Sequence, residues 1–252
     1  MTRIHFGSHG GRFVAAVGVM AAVCLLTTEA LFGAPPTAAP AATSAAAQPA
    51  ELNGEAPSSD AAFERLLAGN RRFVAGKSEH AGDTVQRREE LKNSQHPFAI
   101  IVCCSDSRVA PELVFDQGLG DLFVARVAGN VTDPAVLGSV SYAVHHLHAP
   151  LLVVLGHQGC GAVKAALMEP ADLAKEPEEI QALVHYVQPA LKNLSPTLTG
   201  NDRLRAAIAA NVRRSVSQLE QASAIKEAVA EKHLKIIGGV YSLDSGKVEL
   251  LR

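Results

Sequence analysis

The apolar positions of the chain fall into two rhythms. Residues 98–104, 122–127 and 151–155 are short, nearly unbroken apolar runs, the first entered through Pro97 and the second preceded by Gly118 and Gly120. Runs of this length bounded by turn residues predict buried strands. Around them, apolar residues return at the 3.6-residue period of a helix. Phe63, Leu66, Leu67, Phe73 and Val74 form one stripe, with Ser58, Ser59 and Asp60 offered as N-caps and Gly76 at its end. Leu137, Val140, Val144 and Leu147 form a second behind Pro134, a residue suited to a first helical turn, and Tyr142 falls off that stripe. Leu204, Ile208, Val212, Val216 and Leu219 form a third, a long helix that Asp202 could cap. Residues 86–93 predict a shorter polar helix, and another begins at Gly161. The proline-rich stretch 169–200 reads as loop, with a helical patch at 180–187. Two strand-like runs, 234–243 and 247–251, surround Asp244-Ser245-Gly246, a hairpin signal. Strands alternating with helices predict an α/β fold: a mostly parallel central β-sheet flanked by helices, with an antiparallel C-terminal edge hairpin.

Residues 1–57 follow neither rhythm. Arg3 and Arg12 lead an apolar, small-residue stretch at 13–26, and no acidic residue occurs before Glu29. A basic start, a short apolar centre and a small-residue exit near 30–34 predict a secretory signal peptide at 1–34. The stretch falls short of the ~20 residues of a comfortable membrane span, although left uncleaved it would tether the chain. Val23 and Ala21 fit a lipoprotein site at Cys24 poorly. Residues 35–57, rich in Ala, Pro, Thr and Ser, cannot repay their ordering entropy by burial and predict a flexible linker. Residues 58–252 are then one folded domain, expected in the periplasm or secreted, with no stable membrane insertion after processing. Composition changes little: 48% hydrophobic residues supply a core, and a net charge of −2 with no basic cluster gives no footprint for nucleic acid. With no Trp and 4% aromatic residues, base-stacking platforms are not expected.

Two of the predicted strands end in soft or ionisable side chains. Cys103-Cys104-Ser105-Asp106-Ser107-Arg108 closes the first, and His157-Gln158-Gly159-Cys160 follows the third. In open α/β sheets, functional groups gather where strands turn into loops and helices. If the two strands are neighbours, Cys104, His157 and Cys160 supply two thiolates and an imidazole to one zinc ion, leaving a fourth position open. Alternation along an extended segment would put Asp106 and Arg108 on the side of Cys104, with the guanidinium orienting the carboxylate. Asp106 could then accept a hydrogen bond beside the metal or take the fourth position itself. Other readings stand beside this one. Two cysteines of an exported chain also suit a disulfide, and Cys103 suits a buried core position. His145, His146 and His148 read as solvated helix-end residues.

Cys104-x-Asp106-x-Arg108 with His157-x-x-Cys160 resembles the zinc signature of the β-class carbonic anhydrases. The resemblance extends over Gly69-Asn70-Arg71-Arg72-Phe73, Gln95-x-Pro97, Gly120-Asp121-Leu122-Phe123-Val124-x-Arg126, Ala128-Gly129-Asn130 and Gly156-His157-x-x-Cys160-Gly161-Ala162. It implies an enzyme with one Zn2+ per subunit that interconverts carbon dioxide and bicarbonate through zinc-bound hydroxide. It also implies Cys104, His157 and Cys160 as metal ligands. Asp106 would be partner to the bound water or, in a closed resting form, the fourth ligand, and Arg108 would hold it in the open form. By the same resemblance Gln95, Phe123, Tyr142 and the Gly161 backbone line the substrate pocket. Part of that pocket comes from a second subunit, so a homodimer or higher homo-oligomer is expected. Zinc brings its water to a pKa of about 7 in three-histidine carbonic anhydrases, and two thiolates should weaken that acidification. Competing functions are hydrolysis of carbon disulfide or carbonyl sulfide at the same zinc site, and a non-catalytic zinc- or bicarbonate-binding module.

Overall fold

The structure is a computed structural model and describes residues 57–251; the expected signal peptide, Cys24 and nearly all of the expected linker lie outside the described residues. In chain order the elements are α1 (Ser59–Val74), α2 (Val85–Leu91), β1 (Ala99–Cys103), α3 (Pro111–Val114), β2 (Leu122–Arg126), α4 (Pro134–Leu147) and β3 (Leu151–His157). There follow α5 (Gly161–Ala166), α6 (Pro170–Leu173), α7 (Glu178–Val187), α8 (Gly200–Gln221), α9 (Ser223–Ala230), β4 (Lys235–Tyr241) and β5 (Val248–Leu251). The sheet order is β2-β1-β3-β4-β5; the first four strands are parallel and β5 pairs antiparallel with β4 at the edge. Among the described residues no helix is long and apolar enough to cross a membrane.

The unbroken apolar runs are explained by burial on both faces. Every residue of β1 and β3 is buried. Ile101, Cys103, Leu151, Val153 and Leu155 face one layer, where Leu66 of α1, Val114 and Phe115 pack. Ile100, Val102, Leu152 and Val154 face the other, beneath α4, α8 and α9 through Val140, Val144, Val212, Leu219 and Ile225. This is the period-2 alternation of a strand sandwiched between helices. Val212 seats where strand side chains are missing: a Cβ on Gly156 would come within 2.5 Å of it and one on Gly238 within 3.0 Å. The two glycines let α8 approach β3 and β4 closely just before His157.

Three expectations need correction. Residues 169–200 are largely helical, because Pro170 and Pro189 occupy first-turn positions and Pro177 an N-cap, where a missing N–H costs no helical hydrogen bond. Asp202 does not cap α8. Thr199 holds the N-cap, and Asp202 lies in the first turn, paired to Arg205 at 3.1 Å, where its charge suits the helix dipole. The third strand runs on to His157, which makes that residue the last of β3 rather than part of a loop.

Candidate metal centre

The chain leaves β1 for β2 on one side and later returns to lay β3 on the other, so the C-terminal ends of β1 and β3 flank a topological switch point. Cys103 is opposite Leu155 in the register, which brings Cys104 and His157 off two adjacent strands side by side. Cys160 follows as the N-cap residue of α5. The Sγ atoms of Cys104 and Cys160 and a ring nitrogen of His157 lie within 4.8 Å of one another, and all three residues are buried. Cys104 and Cys160 sit in an apolar cluster with Val131, Val163, Val184, Val187 and Ile208, roofed by α5, α7 and α8. Both cysteines are free, as is Cys103, so the disulfide reading is not what the structure contains.

The donor set fits a soft divalent cation. His157 Nδ1 lies 3.0 Å from the Gln158 carbonyl oxygen, which fixes the ring so that Nδ1–H donates. Nε2 is left fully buried with no hydrogen-bond partner, pointing to the sulfurs. A buried lone pair without a donor is costly unless a cation meets it. Cys104 is held well below the usual thiol range, first by its hydrogen bond with Cys160 and also by Gly129, whose N–H donates to Sγ at 3.3 Å. Cys160 is pushed up by the same sulfur pair and by burial, against the favourable amides of Val163 and Ala162. The two sulfurs hydrogen-bond to each other, a contact that a dication would replace by binding both as thiolates. Cys103 behaves differently. It faces the α1 layer, and burial pushes its thiol up to about 12, so it stays a neutral core residue.

Asp106 and Arg108 are joined as expected, but by a turn rather than an extended segment. Val109 N–H donates to the Asp106 carbonyl, folding the chain back on itself. Arg108 then donates from Nε to Oδ1 at 2.9 Å, from Nη2 to Oδ2 at 2.7 Å and from its backbone N–H to Oδ1 at 3.0 Å. These bonds hold the carboxyl well below the usual carboxylate range, Arg108's side chain being the chief cause. Asp106 Oδ2 is 3.8 Å from His157 Nε2, at the edge of the three-ligand group and not within it. Extended geometry fails because a bidentate fork two residues away needs the backbone to turn.

Of the residues expected to line a substrate pocket, only Gly161 adjoins the cluster, as the first residue of α5. Phe123 is opposite Ile100, three residues before the Cys103 end of β1, and pairs with Tyr142 at 6.5 Å between ring centroids. Tyr142 is exposed on α4, and Gln95 is exposed ahead of β1. Within one chain these three are not brought to the sulfurs.

The expectations also passed over the residues that hold the loops. Arg126 donates to the carbonyls of Cys104 (3.2 Å) and Asp106 (2.8 Å), bracing the loop from β2. Gly129, at φ +71°, turns its N–H to Cys104, and α8 fixes that turn. Asn211 Nδ2 donates to the Gly129 carbonyl at 2.7 Å, and Ser215 Oγ to the Asn130 carbonyl at 3.0 Å. Asn211 and Ser215, polar and buried one turn apart on an otherwise apolar helix face, were the available signal.

Comparison with known proteins agrees with this geometry. The family model described as carbonic anhydrase matches residues 99–248. Carbonic anhydrase 2 of Mycobacterium tuberculosis H37Rv is 44% identical over 191 residues, covering 75% of this chain and 91% of that protein. The carbonic anhydrase of Mycolicibacterium smegmatis is 45% identical over 192 residues, covering 75% and 92%. Among solved structures, the β-carbonic anhydrase CcaA superposes with a TM-score of 0.61 at 27% identity, covering 75% of this chain and 95% of that one. The Coccomyxa β-carbonic anhydrase in complex with acetazolamide superposes with a TM-score of 0.61 at 26% identity, covering 75% and 86%. Sheet order, the Cys/His/Cys group and these matches lead to one conclusion: the chain belongs to the β class of the carbonic anhydrase family, enzymes that interconvert carbon dioxide and bicarbonate.

Proposed function

We propose that Cys104, His157 and Cys160 hold one zinc ion per subunit, and that Asp106, fixed by Arg108, orients the water that attacks carbon dioxide. The orphaned Nε2 of His157 facing two sulfurs carries the first half of this reading, and the doubly clamped carboxylate beside it carries the second. Zinc would supply a Lewis acid that acidifies water at the open position. The rest falls to the chain. Asp106, kept ionised by Arg108 well below the usual carboxylate range, is an acceptor near neutral pH, so it takes a hydrogen bond from the attacking water and leaves an oxygen lone pair free for the substrate carbon. Arg108 spends its fork on Asp106 and keeps it from swinging inward.

Phe123 and Tyr142 form an apolar wall suited to a small uncharged substrate, and Gln95 can donate to bicarbonate. Their distance along the sheet from the sulfurs makes a second copy of the chain the natural source of that wall. We therefore infer a homodimer at least; one structural neighbour, 23% identical and from Sordaria macrospora, is described as a tetrameric β-carbonic anhydrase. Intact Asp106 and Arg108 favour this reading over a non-catalytic module.

Stopped-flow measurement on the zinc-loaded chain is expected to show carbon dioxide hydration well above buffer from neutral to mildly alkaline pH. Full zinc occupancy with no such rate would sink the proposal, and turnover of carbonyl sulfide or carbon disulfide in its place would redirect it. For residues 1–34 we propose an export signal, from its basic start and short apolar centre. N-terminal sequencing of protein from the cell envelope should find a new terminus near residues 30–34; an intact Met1 on cytoplasmic protein would refute export.

A further inference from the structure

We propose that Gln158 is a positioning residue for His157, and that the C-terminal hairpin turn is the anchor it uses. The inference rests on the zinc reading above and extends it to a residue with no metal-binding chemistry of its own.

Gln158 sits between His157 and Gly159 and is half-buried. Its carbonyl is the oxygen that takes the proton of His157 Nδ1, so the place of that carbonyl sets the tilt of the ring and the aim of Nε2. Everything else about Gln158 is tied to residues 241–244. Its backbone N–H donates to the Tyr241 carbonyl at 2.9 Å. Its side-chain Oε1 accepts from the Leu243 N–H at 3.1 Å and from Ser242 Oγ at 3.3 Å, while Nε2 donates to Asp244 Oδ2 at 2.6 Å. A surface glutamine with both ends of its amide satisfied by one turn is held, not merely solvated.

The turn is itself held from below. Asn70 of α1, buried, donates through Nδ2 to the carbonyls of Gly246 and Val114, both at 2.9 Å, and accepts from the Val248 N–H at 3.0 Å. A continuous set of hydrogen bonds thus runs from α1 through the hairpin to Gln158 and so to the imidazole. His157 is fixed in β3 opposite Tyr241, but the turn that leads from it to Cys160 passes through Gly159 at φ +68°, which has no side chain to pack, so Gln158 is the residue that ties this turn down.

The test uses the full chain loaded with zinc and challenged with excess chromogenic chelator. Gln158→Ala keeps the carbonyl that meets Nδ1 but frees it from the hairpin, and is expected to release zinc several-fold faster than wild type, short of the roughly 10–100-fold affinity cost of losing an outer partner outright. Gln158→Glu keeps the acceptor for Leu243 but sets a carboxylate against Asp244, and should also release faster. Adding Asp244→Asn to it restores a donor–acceptor pair and should recover most of the lost retention. With cobalt in place of zinc, the visible absorption band should move in Gln158→Ala and return in the double variant, a response that general loosening of the fold would not give. Wild-type release rates in Gln158→Ala, or a double variant no better than Gln158→Glu, would overturn the inference alone. A wild-type chain that retains no zinc would overturn the metal reading and this inference with it.

Discussion

Asp106→Ala is expected to lower carbon dioxide hydration by about 10²–10⁴-fold while leaving zinc content near that of wild type. The asymmetry follows from where the carboxylate stands. Its Oδ2 is 3.8 Å from the unpartnered His157 nitrogen, but both of its oxygens are taken by Arg108, and the three buried donors form a group without it. Removing it deletes an acceptor for the reacting water and none of the atoms that would hold the metal. It also leaves the Arg108 fork unpaired, but that side chain is 56% exposed and water can satisfy it. Parallel measurement of hydration rate and bound zinc decides the matter. A fall in zinc as large as the fall in rate would mean that Asp106 is a ligand and that the Arg108-bound geometry is not the working one.

The three cysteines at the C-terminal ends of β1 and β3 give the second contrast. Cys160→Ala should leave the dialysed protein with little zinc and with hydration near the buffer rate, because two remaining donors cannot hold the ion against competing chelators. The fold should survive, since a small apolar replacement suits the cluster of Val163, Val184 and Ile208 around that position. Cys103→Ala should do the reverse. It keeps zinc and activity and loses about 1 kcal/mol of stability, having removed a neutral thiol from the α1 layer. Metal analysis beside a thermal melt separates the two. If Cys103→Ala lost the metal, the pairing of Cys103 with Leu155 would have to be shifted by one residue.

Much of this was legible in the chain because the signals were local. Residues 98–104 and 151–155 are apolar without interruption, and only strands buried on both faces, as β1 and β3 are, demand that. The His157-x-x-Cys160 spacing is a local fact as well, and so is the proximity of Asp106 to Arg108. What the sequence hid was either a backbone conformation or a pairing across the sheet. The Asp106–Arg108 fork needs a turn that alternation does not foretell. Arg126 reaches two carbonyls of the loop after β1, a role that its place in the family resemblance does not reveal. The prolines of 169–200 were misleading for a different reason: a proline breaks a helix in its interior and suits its first turn, and spacing alone does not say which. The placing of Phe123, Tyr142 and Gln95 away from the sulfurs concerns a surface that one chain leaves open.

The adjacency of β1 and β3 also bears on how the protein assembles. Cys104 and His157 are 53 positions apart, and the segment between them contains β2 and α4. Of the three donors, an unfolded chain places only His157 and Cys160 near one another, so a cation gains little from this site by binding early. The third donor arrives when two distant strands pair in register, a step that must first overcome the entropy of closing that loop. Capture of a zinc ion would therefore come late and lock a sheet already formed. In this respect the domain differs from small zinc modules, in which the metal itself organises the chain.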